Sequence, residues 1–211
     1  MQTTITTRWW WVRHAPVDSG GIIYGQMDMP CDTSHLATYE GLAALLPGDA
    51  EWIVTPLQRT KQTAGAILTA RGDAPEWLEV PEFMEQHFGE WQGRPREEVA
   101  AKQPERWNQF WLAPAEQTPP GGESFADLVA RTRTAVAEIS ARKAGSDIVA
   151  VTHGGTIRAA LAVALNLPPA QALAFVVDNC SLTRLDHIAG PETENAAWRV
   201  VTVNRSPLPD R

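Results

Sequence analysis

Trp9-Trp10-Trp11-Val12-Arg13-His14-Ala15-Pro16 is the stretch from which the rest of the 211-residue chain can be read. Trp and Val favour extended backbone, and Pro16 followed by Gly20 and Gly21 punctuates the run. Bulky residues at successive positions, without polar alternation, predict a strand buried on both faces, as in a parallel sheet. In open α/β sheets ligands bind at the carboxyl ends of the strands. Arg13 and His14 fall there, so the sequence puts a histidine beside a fixed cation where such folds keep their chemistry.

Outward from that strand, Ser34 is placed to cap a helix with Leu36, Tyr39, Ala43 and Leu46 at helical spacing, ended by Pro47-Gly48. Trp52-Ile53-Val54 is a short strand. It runs into Thr55-Pro56-Leu57-Gln58, a capping-box pattern with proline at the first helical position, and the helix should continue to about Ala70. Trp77 to Val80 reads as a third strand, followed by an irregular loop through Gly93, and residues 95–111 read as short helical pieces broken at Pro104. Thr118-Pro119-Pro120-Gly121-Gly122 is a loop, and Ser124-Phe125-Ala126-Asp127 opens a long helix to about Arg142. Ile148 to Thr152 is a second buried strand, ending in His153-Gly154-Gly155 and a further helix, and residues 181–187 and 197–203 close the pattern as strands. Strands alternating with helices predict a three-layer α/β/α sandwich around a mostly parallel sheet. The length fits one domain spanning residues 1–211.

The composition is that of an ordinary soluble protein, 44% apolar and 20% charged. A net charge of -7 gives no footprint for nucleic acid or for an anionic membrane. An acidic chain that binds an anion must concentrate its few positive charges locally. Cys31 and Cys180 are too few and too isolated for a disulfide framework or a zinc site, and no compact ligand spacing suggests another metal. No apolar run approaches the roughly 18 residues of a spanning helix, and Met1 to Arg8 lacks the pattern of a signal peptide. The expectation is a cytoplasmic protein whose partner is a small molecule, without cofactor, metal, nucleic acid or membrane; its oligomeric state is not legible.

Two strands end in histidines, Arg13-His14 and Thr152-His153-Gly154-Gly155, and a third ends at a helix start with Arg59 in its first turns. Parallel neighbours would bring these ends to one rim. Two arginines, two histidines and free N–H groups at helix starts make an anion pocket, with phosphate as the obvious guest. The guanidinium fork suits phosphate because it donates paired hydrogen bonds and stays charged.

Five segments occur in order: Val12-Arg13-His14-Ala15, Thr55 to Ala64, Glu85-Gln86-His87-Phe88-Gly89-Glu90-Trp91-Gln92-Gly93, Pro120-Gly121-Gly122-Glu123-Ser124, and Thr152-His153-Gly154-Gly155. Together they resemble the histidine phosphatase family, relatives of the cofactor-dependent phosphoglycerate mutases, from about residue 8 to 160. The resemblance implies that His14 attacks phosphorus and is transiently phosphorylated, with a hydrogen bond on its other ring nitrogen fixing the tautomer. It implies that Arg13, Arg59 and His153, the last serving best as a cation favoured by the neighbouring phosphate, clamp the phosphoryl oxygens. Glu85 matches the general acid, a role that partial burial favours. Glu123 and Ser124 match a loop that often lines the substrate side, though they read at least as well as helix-start residues; Gly154 opens the helix after His153, and Tyr24, next to Gly25, either meets the leaving group or plugs the sheet edge.

The match departs in places. Ala15 stands where the family has glycine, and Gly20 where the mutases carry a phosphate-contacting asparagine. Glu85 and His153 are too close in sequence to hold the mutases' substrate-capping insertion, and the mutases' basic run is missing between them. The resemblance therefore implies a phosphatase rather than a mutase, or, if catalysis were lost, a phosphate-binding module of the same fold. Residues Gly20 to Pro30 look like the corresponding loop of α-ribazole-phosphate phosphatases, an association that guides substrate choice only weakly.

Overall fold

The tryptophan run lies in β1 (Ile5–Arg13), an inner strand of the central sheet in a computed structural model that describes residues 4–102, 111–190 and 197–208. The chain continues through α1 (Leu36–Leu45), β2 (Ala50–Val54), α2 (Gln58–Arg71), β3 (Leu78–Glu79), α3 (Arg96–Ala100), α4 (Phe125–Arg142), β4 (Asp147–Thr152), α5 (Gly154–Leu165), α6 (Pro169–Ala172), β5 (Leu182–Ala189) and β6 (Ala197–Arg205). The strands lie in the order β3-β2-β4-β1-β5-β6. Strands β3, β2, β4 and β1 are mutually parallel, while β5 runs antiparallel to both of its neighbours. Among the described residues the sheet is therefore mixed but mostly parallel.

Side chains alternate across β1 and build two cores. Trp9 and Trp11 are fully buried on one face with Val136 and Ile139 of α4 and Ile157 and Leu161 of α5. Val12, with Trp10 packed beside it, faces the other way, toward Leu42 of α1 and Ile67 of α2. The three layers follow from that alternation. The Trp9 and Trp11 rings stack at 4.9 Å, and the Phe83 ring meets both edge-on, at 5.9 and 5.2 Å. No helix among the described residues is long and apolar enough to cross a membrane.

Helix α4 begins where its sequence predicts. Ser124 Oγ accepts from Asp127 N at 3.1 Å, and Asp127 Oδ2 accepts from Ser124 N at 2.9 Å, a complete capping box. Other elements differ from expectation. Helix α1 starts after His35 without a side-chain cap, the Ser34 N–H donates to Asp32 Oδ1, and Leu36 is exposed while Tyr39, Leu42 and Leu46 are buried. Helix α2 starts at Gln58 rather than at Pro56. The expected capping box does not form: the Gln58 side chain donates to Asp28 O, and Thr55 Oγ1 bonds Thr60 and His153. The third strand shrinks to Leu78–Glu79, both exposed at the sheet edge. Helix α3 is one of the short pieces expected after residue 95, while the break at Pro104 falls outside the described residues.

The register places the site. Arg13 of β1 lies opposite Thr152 of β4, and Ile53 of β2 opposite Ala150. The parallel strands thus deliver His14, His153 and the start of α2 to one rim.

Candidate active site

At that rim the His14 and His153 ring centroids are 5.3 Å apart, and both side chains are buried. His14 N donates to Thr152 O at 2.8 Å, which extends the strand pairing by one residue. His14 Nδ1 is 2.7 Å from Ala15 O. A carbonyl only accepts, so Nδ1 carries the proton and Nε2 keeps its lone pair. Burial, and then the charges of Arg59 and Arg13, hold the His14 pKa well below the usual value. The ring is a neutral base with its free nitrogen fixed by the fold.

Arg59 is fully buried and donates to Gly25 O at 2.6 Å and Met27 O at 2.8 Å. Its Nε donates to His153 Nδ1 at 3.3 Å, so His153 must carry its proton on Nε2, which donates to Thr55 Oγ1 at 3.0 Å. Burial first, and then Arg59, keep His153 neutral in the free site, whereas the expected cation is one favoured by a neighbouring phosphate. A bound phosphate dianion would oppose both effects. Arg13 Nη1 donates to Val177 O at 2.7 Å, while its Nε is buried, beside Gly154, with no partner among the described residues. Buried donors without partners are rare and point to an absent acceptor.

Glu85 reaches the same rim from the loop after the 3₁₀ turn Pro81–Phe83. Its two carboxyl oxygens accept from Gln86 N at 3.0 Å and Gly155 N at 3.1 Å. Gly155 must be glycine here, because a methyl group would overlap Glu85 Oε1. Thr152 and Thr156 both donate to Phe83 O, at 2.8 and 3.0 Å, and pin the loop from below.

Beside them lies a cavity of about 110 Å³, lined by Arg13, Tyr24, Gly25, Glu85 and Gly154 among the expected residues, while the buried His14, Arg59 and His153 are not among its lining residues. The Tyr24 ring lies 5.0 Å from the Arg59 guanidinium carbon and 6.4 Å from the His14 ring. Gly25 has φ +41, and a side chain there would strike Phe88 and Gln92. Ala15 is a milder substitution than the motif suggested. It has no positive φ, its methyl group packs in the core, and its N–H donates to Thr63 Oγ1 at 2.8 Å.

Glu123 and Ser124 are not brought to the cavity. Glu123 forms a two-pronged ion pair with Arg131, at 3.0 and 2.7 Å, and accepts from His87 N at 2.9 Å. Ser124 is used up as the cap of α4. Glu123 braces the acid loop from behind through Gln86, His87 and Arg131.

Three arginines went unnoticed in the sequence. Arg131 also donates to Glu82 O, Met84 O and Glu85 O, and so fastens the acid loop to α4. Arg158 and Arg96 line the cavity. Arg158 stands 5.0 Å over the Trp111 ring, and burial pushes its pKa down to about 10. The signal for Arg158 was its spacing: it follows Gly154 by one helical turn and so shares its face.

The model of the histidine phosphatase superfamily (branch 1) matches residues 9–205. The chain belongs to this family. Among its relatives is a metal-independent phosphoserine phosphatase of Arabidopsis thaliana, 32% identical over 154 residues, which are 70% of this chain and 64% of that protein. The chain therefore spans less than two thirds of that relative's length. An adenosylcobalamin/alpha-ribazole phosphatase of Salmonella typhimurium is 25% identical over 91% of this chain and 98% of its own. Among solved structures, a mycobacterial glucosyl-3-phosphoglycerate phosphatase superposes with a TM-score of 0.79 and 28% identity, covering 95% of this chain and all of the other. The complex of that phosphatase with inorganic phosphate superposes at 0.75, with 30% identity over 95% of this chain and 98% of the other.

Proposed function

We propose that the protein hydrolyses phosphomonoesters of small metabolites, without a metal, through a phosphohistidine on His14. The observation that carries this reading is the His14 ring: Nδ1–H is tied to Ala15 O, and Nε2 is left unprotonated beside Arg13 and Arg59. In the first step Nε2 attacks phosphorus, the P–N bond forms, and the ester P–O bond breaks. Glu85 gives its proton to the departing alkoxide, which leaves as the alcohol. Arg13, through its unpartnered Nε, and the amides at the start of α5 take the phosphoryl oxygens, with Arg59 adding charge behind them. In the second step water attacks phosphorus, the P–N bond breaks, and Glu85 recovers a proton from that water. Phosphate leaves and the site is restored. Inorganic phosphate in the mycobacterial relative supports such a pocket. The Salmonella relative supports α-ribazole 5′-phosphate as one candidate substrate.

A chromogenic phosphomonoester assayed with chelator present tests this function. The expected result is turnover that is lost in His14→Ala and an acid-labile phosphoryl label on the wild-type protein alone. Turnover no greater than that of His14→Ala, or a label that persists in that variant, would overturn the reading. Mutase-type transfer predicts phosphate moving to a second hydroxyl rather than to water, and product analysis separates the two.

A further inference from the structure

The cavity beside the phosphoryl site holds positive charge beyond the Arg13 and Arg59 that the phosphoryl chemistry uses. Arg158 and Arg96 line it together with Arg13, and Glu85 is the one carboxylate among the lining residues. In a chain of net charge -7, three guanidiniums around one carboxylate are a local excess of positive charge. Arg158 Nε donates to Phe175 O at 2.8 Å, and its plane is steered by Trp111. Its terminal nitrogens make no hydrogen bond to any described residue, and neither does the Arg96 side chain. A methyl group on Gly154 would stand 3.1 Å from Arg158 Nη1 and 3.4 Å from Arg13 Nε, so the two guanidiniums flank the same spot. The charges of Glu85 and Asp178 act on Arg158, but its terminal nitrogens pair with neither, so a cation oriented by a ring keeps donors for an anion.

We propose that Arg158, assisted by Arg96 at the rim, binds a second acidic group, carboxylate or phosphate, on the leaving group of the substrate. The inference deepens the phosphatase reading and rests on it. The substrate is then a compact phosphomonoester with two anionic ends: one on His14 and Arg13, the other on Arg158 over Trp111. Size agrees with charge. The cavity holds about 110 Å³, well below the ~300 Å³ at which clefts begin to take drug-sized ligands. A benzimidazole riboside, the leaving group of the candidate α-ribazole 5′-phosphate, lacks the second acid.

Esters matched in size separate the possibilities. The pairs are 3-phosphoglycerate against glycerol 3-phosphate, and propane-1,3-diol bisphosphate against its monophosphate, with α-ribazole 5′-phosphate alongside. A charge-assisted pair of hydrogen bonds is worth about one to two orders of magnitude in selection. The expected result is a kcat/KM at least ~10-fold higher for the doubly anionic member of one or both pairs, and the preferred pair names the acid. In Arg158→Met, which keeps the stem on Trp111, that ratio should fall by about 10-fold or more, through KM. In Arg96→Gln, at an exposed position, it should fall by roughly 3-fold. Equal turnover of each pair by the wild-type protein, or α-ribazole 5′-phosphate as the best substrate, overturns the second-anion site. So does an equal loss on both members in Arg158→Met, which would assign Arg158 to the phosphoryl group itself. Absence of turnover on every ester, the chromogenic one included, is a different failure and removes the phosphatase reading.

Discussion

Gly155→Ala tests the acid without touching it. Gly155 is the second residue of α5 and has no positive φ, so alanine suits its backbone and would add up to about 1 kcal/mol of helix propensity. Its methyl group would overlap Glu85 Oε1 and sit 3.1 Å from Leu128 Cδ2. The carboxyl must swing away, and its bonds to Gln86 N and Gly155 N lengthen or break. Hydrogen bonds of this kind contribute about 0.5–1.5 kcal/mol each and a buried donor left unpaired costs about 1–3 kcal/mol; partial recovery and the helix gain leave a net loss of roughly 1–2 kcal/mol. For a chain of this size that lowers Tm by roughly 2–8 °C, leaving the protein folded at assay temperature. A misplacement of about 1 Å costs on the order of 10²-fold in rate when the displaced group transfers a proton. The expected result is a kcat about 100-fold lower for an alkyl phosphate and less than about 10-fold lower for a nitrophenyl phosphate, whose leaving group needs little protonation. Equal losses on the two esters, or no loss on either, would refute the assignment of Glu85 as acid.

Two further outcomes follow from the same geometry. Arg131→Met removes the ion pair to Glu123 and the bonds to the carbonyls of residues 82, 84 and 85. Thermal or urea unfolding should show a loss of about 2–4 kcal/mol, and kcat should fall more than KM rises; unchanged stability would mean that the brace is idle. The two buried histidines set a pH dependence. Their pKa values are depressed in the folded chain relative to about 6.5 in the unfolded one, so as pH falls below that value the unfolded chain gains protons that the folded chain refuses. Stability is then full above about pH 6.5 and is lost on acidification, by up to about 1.4 kcal/mol per pH unit for each histidine. Urea unfolding between pH 7.5 and 5.5 should show this slope, reduced in His153→Gln; an identical slope in the variant would contradict a neutral His153.

What the sequence made legible was what local pattern controls. β1 and β4 could be read because strands buried on both faces are continuous apolar runs, and their ends then carried His14 and His153 to one rim. α4 could be read because Ser124 and Asp127 make their bonds within one turn. Where a partner lay far off, local pattern misled. Gln58 was taken by Asp28 across 30 residues, which undid the expected cap of α2, and Asp32 claimed the Ser34 N–H. The arginines are the clearest case. On its own helix each of Arg131 and Arg158 is an ordinary polar residue, and only the tertiary fold gives one a loop to hold and the other a cavity to face. Glu123 could be read either as a ligand or as a helix-start residue, and its pairing with Arg131, two turns along α4, favours the second.

The stacked indoles of β1 reach further than packing. Phe83 is wedged edge-on against Trp9 and Trp11, and its carbonyl is gripped by Thr152 and Thr156, two residues before Glu85. The acid loop is thus pegged near its root. Two parallel indoles 4.9 Å apart couple their electronic transitions, so the circular dichroism of this pair is a gauge built into the molecule. It reads, from inside the core and without a label, whether the peg beneath the acid has moved.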